Sequence, residues 1–216
     1  MKFIKENLNN IRKPNNQTMT KNILFVVLSL LLGITLGMFS KWLDNLSLDS
    51  TIWWHNIVSY FDLGNFFSDM AIWLLIALII AVLSASALTA AMNVFVFFSG
   101  MCLSYHLYTI LFSGFNPSSY MMIWYGITLI SPLLAILCWY AKGEGIVALI
   151  LDIGIIATFT ISCFAVGLIY IDLKGILYSI VFSIALITLY RSPRQLIIAL
   201  LLGILLAFPL SSFLLF

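Results

Sequence analysis

The sequence predicts an all-α polytopic membrane protein of seven transmembrane helices, with the N-terminus inside, the C-terminus outside and one outer interfacial amphipathic helix. Three observations carry that prediction. Hydrophobic residues make up 63% of the 216 residues and charged residues 8%, with a mean hydropathy of +1.13; soluble domains average about 45–50% apolar and about 25% charged. So few charges cannot cover a water-facing surface, which excludes a cytosolic enzyme, a nucleic-acid binder and a disordered chain. The apolar runs are long and continuous, where a transmembrane β-barrel would alternate in segments of about ten residues. The cations, finally, are unevenly distributed along the chain.

Residues 1–22 form the only long polar stretch, with Lys2, Lys5, Glu6, Arg12, Lys13 and Lys21 among several Asn. They read as a flexible, basic cytoplasmic tail. A secretory signal is disfavoured, because the apolar run from Ile23 to Phe39 exceeds a usual signal core and no A-x-A site follows. The remainder, 23–216, reads as a single transmembrane bundle. A span needs about 20 apolar residues, and seven candidates meet or approach that: 23–40, 63–84, 87–112, 120–140, 146–169, 174–190 and 195–215. The segment 41–62 between the first two carries its own helix at about 52–62. There His55, Asn56, Ser59 and Asp62 share one face, and Trp53, Trp54, Ile57 and Phe61 the other, the pattern of a helix lying in the interface. Lys41 beside Trp42 reads as an interface anchor.

With the N-terminus inside, eight of the ten Lys and Arg residues fall in cytoplasmic segments; only Lys41 and Lys174 lie outside. That bias follows the positive-inside rule and favours an odd number of spans.

The candidates for chemistry are intramembrane polar groups, which lipid exposure would penalise by several kcal/mol. They are Asp69 in the second span, His106 and Asn93 in the third, and Asp152 in the fifth. At about 1.5 Å per residue, Asp69 and His106 both lie in the outer half, within possible reach of each other, and Asn93 and Asp152 both lie about 7 Å toward the cytoplasm. A carboxylate beside an imidazole can relay protons or hold a cation; equally, each group can be interhelical glue. An Asn93–Asp152 hydrogen bond would lock the third span to the fifth. Tyr105, Tyr108 and Trp124 head an aromatic cluster in the outer third, readable as a ligand vestibule above Asp69 and His106 or as an ordinary aromatic belt. Gly33 and Gly37 in the first span, and Ala87 and Ala91 in the third, permit close helix packing, within the chain or between subunits. Ser131-Pro132 interrupts the fourth span. Cys102, Cys138 and Cys163 sit at different depths and read as free thiols. No Cys/His cluster suggests a metal, no nucleotide-binding or hydrolase motif is present, and no cofactor is implied.

The run Asn93-Val-Phe-Val-Phe-Phe-Ser-Gly, with Tyr105-His-Leu-Tyr108, Gly114-Phe115-Asn-Pro117-Ser-Ser-Tyr120, Ser131-Pro132 and Cys138-Trp139-Tyr140-Ala-Lys142, resembles an uncharacterised family of small polytopic membrane proteins from Gram-positive bacteria. The resemblance covers roughly 24–210 and implies a bacterial plasma-membrane protein of unknown function; it transfers no site residue. A fainter similarity is to the substrate-binding membrane subunits of energy-coupling-factor transporters. Those have six helices and a small-residue motif on the first, which Gly33 and Gly37 match loosely.

The leading expectation is a small-molecule transporter, or the membrane-embedded substrate-binding subunit of one, with no enzymatic activity of its own. A second is an accessory, assembly or immunity subunit of a larger membrane complex. A third is an intramembrane enzyme acting on lipid. The corresponding partners are the lipid bilayer, an ATPase or other membrane subunit, or further copies of the chain, and no nucleic acid.

Overall fold

The computed structural model describes residues 10–167 and 169–214; residues 1–9 of the expected tail, and the last residue of the seventh expected span, lie outside the described residues. The helices in chain order are α1 (Met19–Asp44), α2 (Trp53–Tyr60), α3 (Leu63–Ser68), α4 (Met70–Leu83), α5 (Ala87–Tyr108), α6 (Ser118–Ala141), α7 (Gly145–Cys163), α8 (Ile176–Leu189) and α9 (Pro193–Leu214), with a hairpin of β1 (Phe164–Val166) and β2 (Ile171–Leu173) between α7 and α8. A π-helical turn, Thr109–Ser113, prolongs α5 until Gly114 stops it at φ 72°, a left-handed helix end that glycine adopts without a steric penalty. Five helices are long and apolar enough to cross a membrane: α1, α5 with its extension, α6, α7 and α9. The protein is a multi-pass membrane protein. α4 and α8 are apolar but only 14 residues each, about 21 Å of helix against a hydrocarbon core of about 30 Å.

Their shortness has local causes. The expected span 63–84 breaks at Asp69, whose backbone is extended and whose carboxylate accepts the Met70 N–H at 2.6 Å. A carboxylate that caps a helix start must stand outside the helix, so α3 and α4 are two pieces. The expected span 146–169 ends at Cys163, because Phe164–Val166 pairs antiparallel with Ile171–Leu173. Phe164, Val166 and Ile171 are aromatic or β-branched, and the pair closes on a turn at Gly167; the expectation of uninterrupted helix is corrected there. α5 begins at a capping box, with the Ser86 hydroxyl accepting from Thr89 N–H and the Thr89 hydroxyl accepting from Ser86 N–H, an arrangement that satisfies two otherwise orphaned donors. In α6 the ring of Pro132 supplies no N–H for the Thr128 carbonyl, one turn earlier; the Ser131 hydroxyl donates to that carbonyl instead, at 2.8 Å.

α4 is short but central. Leu75, Leu78 and Val82 pack into a cluster with Ile156, Phe159, Val181 and Leu189. Trp73, Ile80 and Ala81 pack into a second with Phe97, Met101, Trp124 and Trp139. A helix apolar all round is one that can be buried on both sides. α1 lies along α5 in a close seam. A Cβ on Gly33 would collide with the Phe97 carbonyl, one on Gly37 with the Met101 carbonyl and the Ser104 hydroxyl, and one on Gly100 with the Leu30 carbonyl. The glycine motif of the first span is therefore used inside the chain. Ala91 is buried and Ala87 half-buried against the second cluster, so both also serve packing within the chain.

The helix expected at about 52–62 is α2, with bounds Trp53–Tyr60. Trp53, Ile57 and Tyr60 are exposed, and His55 turns inward, its Nδ1 accepting the Asp49 N–H at 2.8 Å.

Candidate functional site

The ion pairs lie at the two ends of the bundle, and a largely apolar groove lies between. At the end where α4, α6 and α8 finish, the tail end, Asp152 is fully buried about two turns into α7 and pairs with Arg191 of the α8–α9 connection. It also accepts from the Gln195 amide. Arg191 donates in addition to the Gly143 carbonyl. Lys142 donates to the carbonyls of Thr188 and Tyr190, at 2.7 and 2.6 Å, and burial, followed by repulsion from Arg12, pulls its ammonium below the ordinary lysine range. Arg12 donates to the carbonyls of Trp139 and Val82, at 2.8 and 2.9 Å, and stacks on the Trp139 ring at 4.4 Å. The segment around it is fastened by Glu144 N–H to the Ile11 carbonyl and Asn15 N–H to the Ala85 carbonyl. Residues 11–15 are thus docked on the bundle, which corrects the expectation of a wholly flexible tail.

Asn93 and Asp152 do not bond to each other. Asn93 donates to the Ser84 hydroxyl at 2.9 Å, and the Ser84 carbonyl accepts from the Trp139 indole at 2.9 Å. Asn93 ties α5 to α4 and α6, whereas Asp152 ties α7 to the start of α9. Both are interhelical polar residues, with separate partners. Sequence reasoning counted Arg191 only among the inside cations and did not single out Gln195. The usable signal was the length of the Arg191 side chain, which lets a charge at the interface reach a carboxylate buried two turns deeper.

At the far end, Asp69 and His106 have separate partners too. Asp69 pairs with Lys174 at 3.5 Å, and each side chain is one-third exposed. His106 contacts the Tyr125 hydroxyl through Nδ1 at 2.6 Å and the Asn116 amide oxygen through Nε2 at 2.8 Å. The hub here is Asp44, which the sequence did not single out: it accepts from the Tyr105 hydroxyl at 2.7 Å and the Ser68 hydroxyl at 3.1 Å and lies 3.7 Å from Lys41. Tyr108 packs on Phe112, with ring centres 4.6 Å apart. Tyr105 and Trp124 line a void of about 10 Å³, room for one water. Tyr108 lines a separate apolar groove of about 320 Å³ with Leu103, Leu107 and Leu111, and a more polar cleft of about 340 Å³ opens at this end beside Asp44, Ser59, Asp62 and Asn65.

A larger and more apolar space lies nearer the middle of the bundle. A groove of about 420 Å³ runs between α6 and α7 at mid-depth, with α4 and α5 behind it and Leu210 of α9 at its edge. Its rim residues Leu134, Leu137 and Ile150 are exposed. Its hydroxyls, Ser131 and Thr158, donate to carbonyls of their own helices, so the wall it presents is hydrocarbon. A Cβ on Gly154 would meet nothing within 4 Å. Among the described residues, no group of three or more His, Cys, Asp or Glu could hold a metal ion.

Fold and lining together define a multi-pass helical membrane protein with an intramembrane apolar groove. No family model, curated protein or solved structure matches the chain.

Proposed function

We propose that this chain is a seven-span plasma-membrane protein, N-terminus cytoplasmic and C-terminus outside, that binds a small apolar or amphipathic molecule from within the bilayer, as a transporter or the substrate-binding subunit of one. In this reading α3 and α4 together make the second span, and α8 with its hairpin makes the sixth. The observation that carries the proposal is the α6/α7 groove. It has the volume of a small-molecule site, which runs from about 300 to about 1,000 Å³, and its rim faces the lipid side. The small size of the void at Tyr105 and Trp124 and the hydrocarbon lining of the α6/α7 groove favour lateral access from the bilayer. The accessory-subunit reading loses its main support, because Gly33 and Gly37 are spent on the α1–α5 seam.

The test is identification by mass spectrometry of molecules retained by the full-length protein after gentle purification from its own membranes. The wild type should hold one apolar species that Gly154→Leu and Cys138→Trp, both filling the groove, reduce about tenfold. Equal retention by all three would overturn the assignment. Reporter fusions at Asn16 and after Phe216 should report opposite sides; same-side signals would remove the seven-span topology.

A further inference from the structure

A second groove lies at the tail end, between the first turns of α1 and the end of α4. α1 follows α5 closely through Gly33 and Gly37. The gap has a volume of about 260 Å³ and is lined by Gln17, Lys21, Leu24, Phe25, Leu28 and Leu83. Its composition is graded along the α1 axis. Gln17 and Lys21 stand at the end where the polar tail joins α1. One and two turns further in come Leu24 and Leu28, both exposed, facing the exposed Leu83 at the end of α4. The polar end has a backbone wall: Asn15 N–H donates to the Ala85 carbonyl and Gln17 N–H to the Asn15 carbonyl, so residues 15–17 bridge the α4–α5 turn to α1. The helix starts here without a side-chain cap.

A cation and an amide at the interface, above a hydrocarbon slot one to two turns deep, complement one kind of molecule. We propose that this groove binds an anionic phospholipid of the adjacent leaflet, its phosphate at Lys21 and Gln17 and one acyl chain along Leu24, Leu28 and Leu83. Charge complementarity selects the head group. Exposed Lys13 and Arg194 stand at the same end of the bundle, where the only carboxylates among the described residues are Glu144 and the already paired Asp152. The chain slot accounts for a lipid in place of free phosphate. This site is separate from the α6/α7 groove, and the two share no lining residue.

The test is native mass spectrometry of the full-length protein delipidated in detergent and supplied with phosphatidylglycerol or phosphatidylcholine of equal chain length. A lysine near the surface contributes enough to a charged-lipid contact for about a fivefold preference. The wild type should retain phosphatidylglycerol about fivefold over phosphatidylcholine, and Lys21→Gln should bring that ratio near one. Leu28→Trp, which fills the slot, should lower retention of both lipids. Lys21 is exposed, so Lys21→Gln leaves the fold intact; Lys13→Gln is the matched control and should keep the preference. Equal retention of the two lipids by the wild type would overturn the proposal. So would an unchanged ratio in Lys21→Gln, or a loss in Lys13→Gln as large as in Lys21→Gln.

Discussion

Replacing Arg191 by Met tests whether the tail end is held by a charge pair or by packing alone. The Asp152 side chain is fully buried and that of Arg191 is 17% exposed. Water can therefore reach part of the guanidinium and none of the carboxylate. Arg191→Met leaves a buried carboxylate with only the Gln195 amide to satisfy it, and breaking one side of a buried pair costs about 3–5 kcal/mol. The partial exposure of Arg191 places the expected loss at the lower end, about 3 kcal/mol. In the double variant Asp152→Asn/Arg191→Met no charge is buried, and the introduced amide oxygen still accepts from Gln195. What remains is the lost Arg191 bond to the Gly143 carbonyl, about 1.5 kcal/mol for a charged donor. The double variant should therefore be more stable than Arg191→Met by about 1.5 kcal/mol. The assay is reversible unfolding in mixed micelles, followed by tryptophan fluorescence. Equal stabilities of single and double variants, or an Arg191→Met protein as stable as the wild type, would refute the reasoning.

The α1–α5 seam predicts a sharp contrast among glycines. Gly37→Leu should abolish monodisperse protein on size-exclusion chromatography, since its Cβ would strike backbone, while Gly126→Ala, with nothing within 4 Å, should elute as the wild type does. His106 is read as a tether between α5, α6 and their connection: His106→Phe should lower stability by about 1–3 kcal/mol through two lost hydrogen bonds and leave retention at the α6/α7 groove unchanged. Loss of retention without loss of stability would restore His106 to a binding role. A lipid-soluble maleimide should label Cys138, which lines the groove, ahead of the fully buried Cys102 and Cys163; equal labelling of all three in the folded protein would argue against an accessible groove.

Apolar run length made the helices legible, because burying a helix in lipid needs nothing but side-chain hydropathy over a fixed distance. The run could not show where the helix breaks. Asp69 looked like an intramembrane carboxylate because its neighbours are apolar, yet its short side chain caps α4 and so belongs at a boundary. Phe164–Val166 looked like the end of a span for the same reason; pairing with Ile171–Leu173 depends on a contact across the chain that hydropathy does not record. Gly33 and Gly37 were legible as packing residues, but their partner was not, since a seam within a chain and one between chains require the same small side chains. Of the candidate site residues, His106 and Asp152 were rightly seen as needing partners. The partners themselves, Tyr125 and Asn116 for one and Arg191 and Gln195 for the other, lie on segments that depth counting does not bring into register.

The cations from which the sequence predicts an orientation have a structural task in the fold. Arg12 donates to carbonyls at the ends of α4 and α6, Lys142 to those at the end of α8, and Arg191 to the Gly143 carbonyl just past α6. At the far end Lys174 donates to the Ser162 carbonyl at the end of α7, and Lys41 lies in the last turn of α1. Each sits where a helix dipole presents its negative pole and unpaired carbonyls. Exposed Lys13 and Arg194 carry the same charge at the tail end and make no side-chain bond to a helix end among the described residues. The two roles separate by mutation. Arg12→Gln with Lys142→Gln should lower unfolding stability by about 3 kcal/mol or more, since hydrogen bonds from charged donors are worth about 1.5–3 kcal/mol each. Lys13→Gln with Arg194→Gln removes as much charge and should cost less than about 0.5 kcal/mol. If cytoplasmic charge alone mattered, the two pairs would shift reporter-fusion orientation alike and neither would change the stability of correctly inserted protein. Equal stability losses from the two pairs would show that the carbonyl contacts contribute nothing beyond the charge itself.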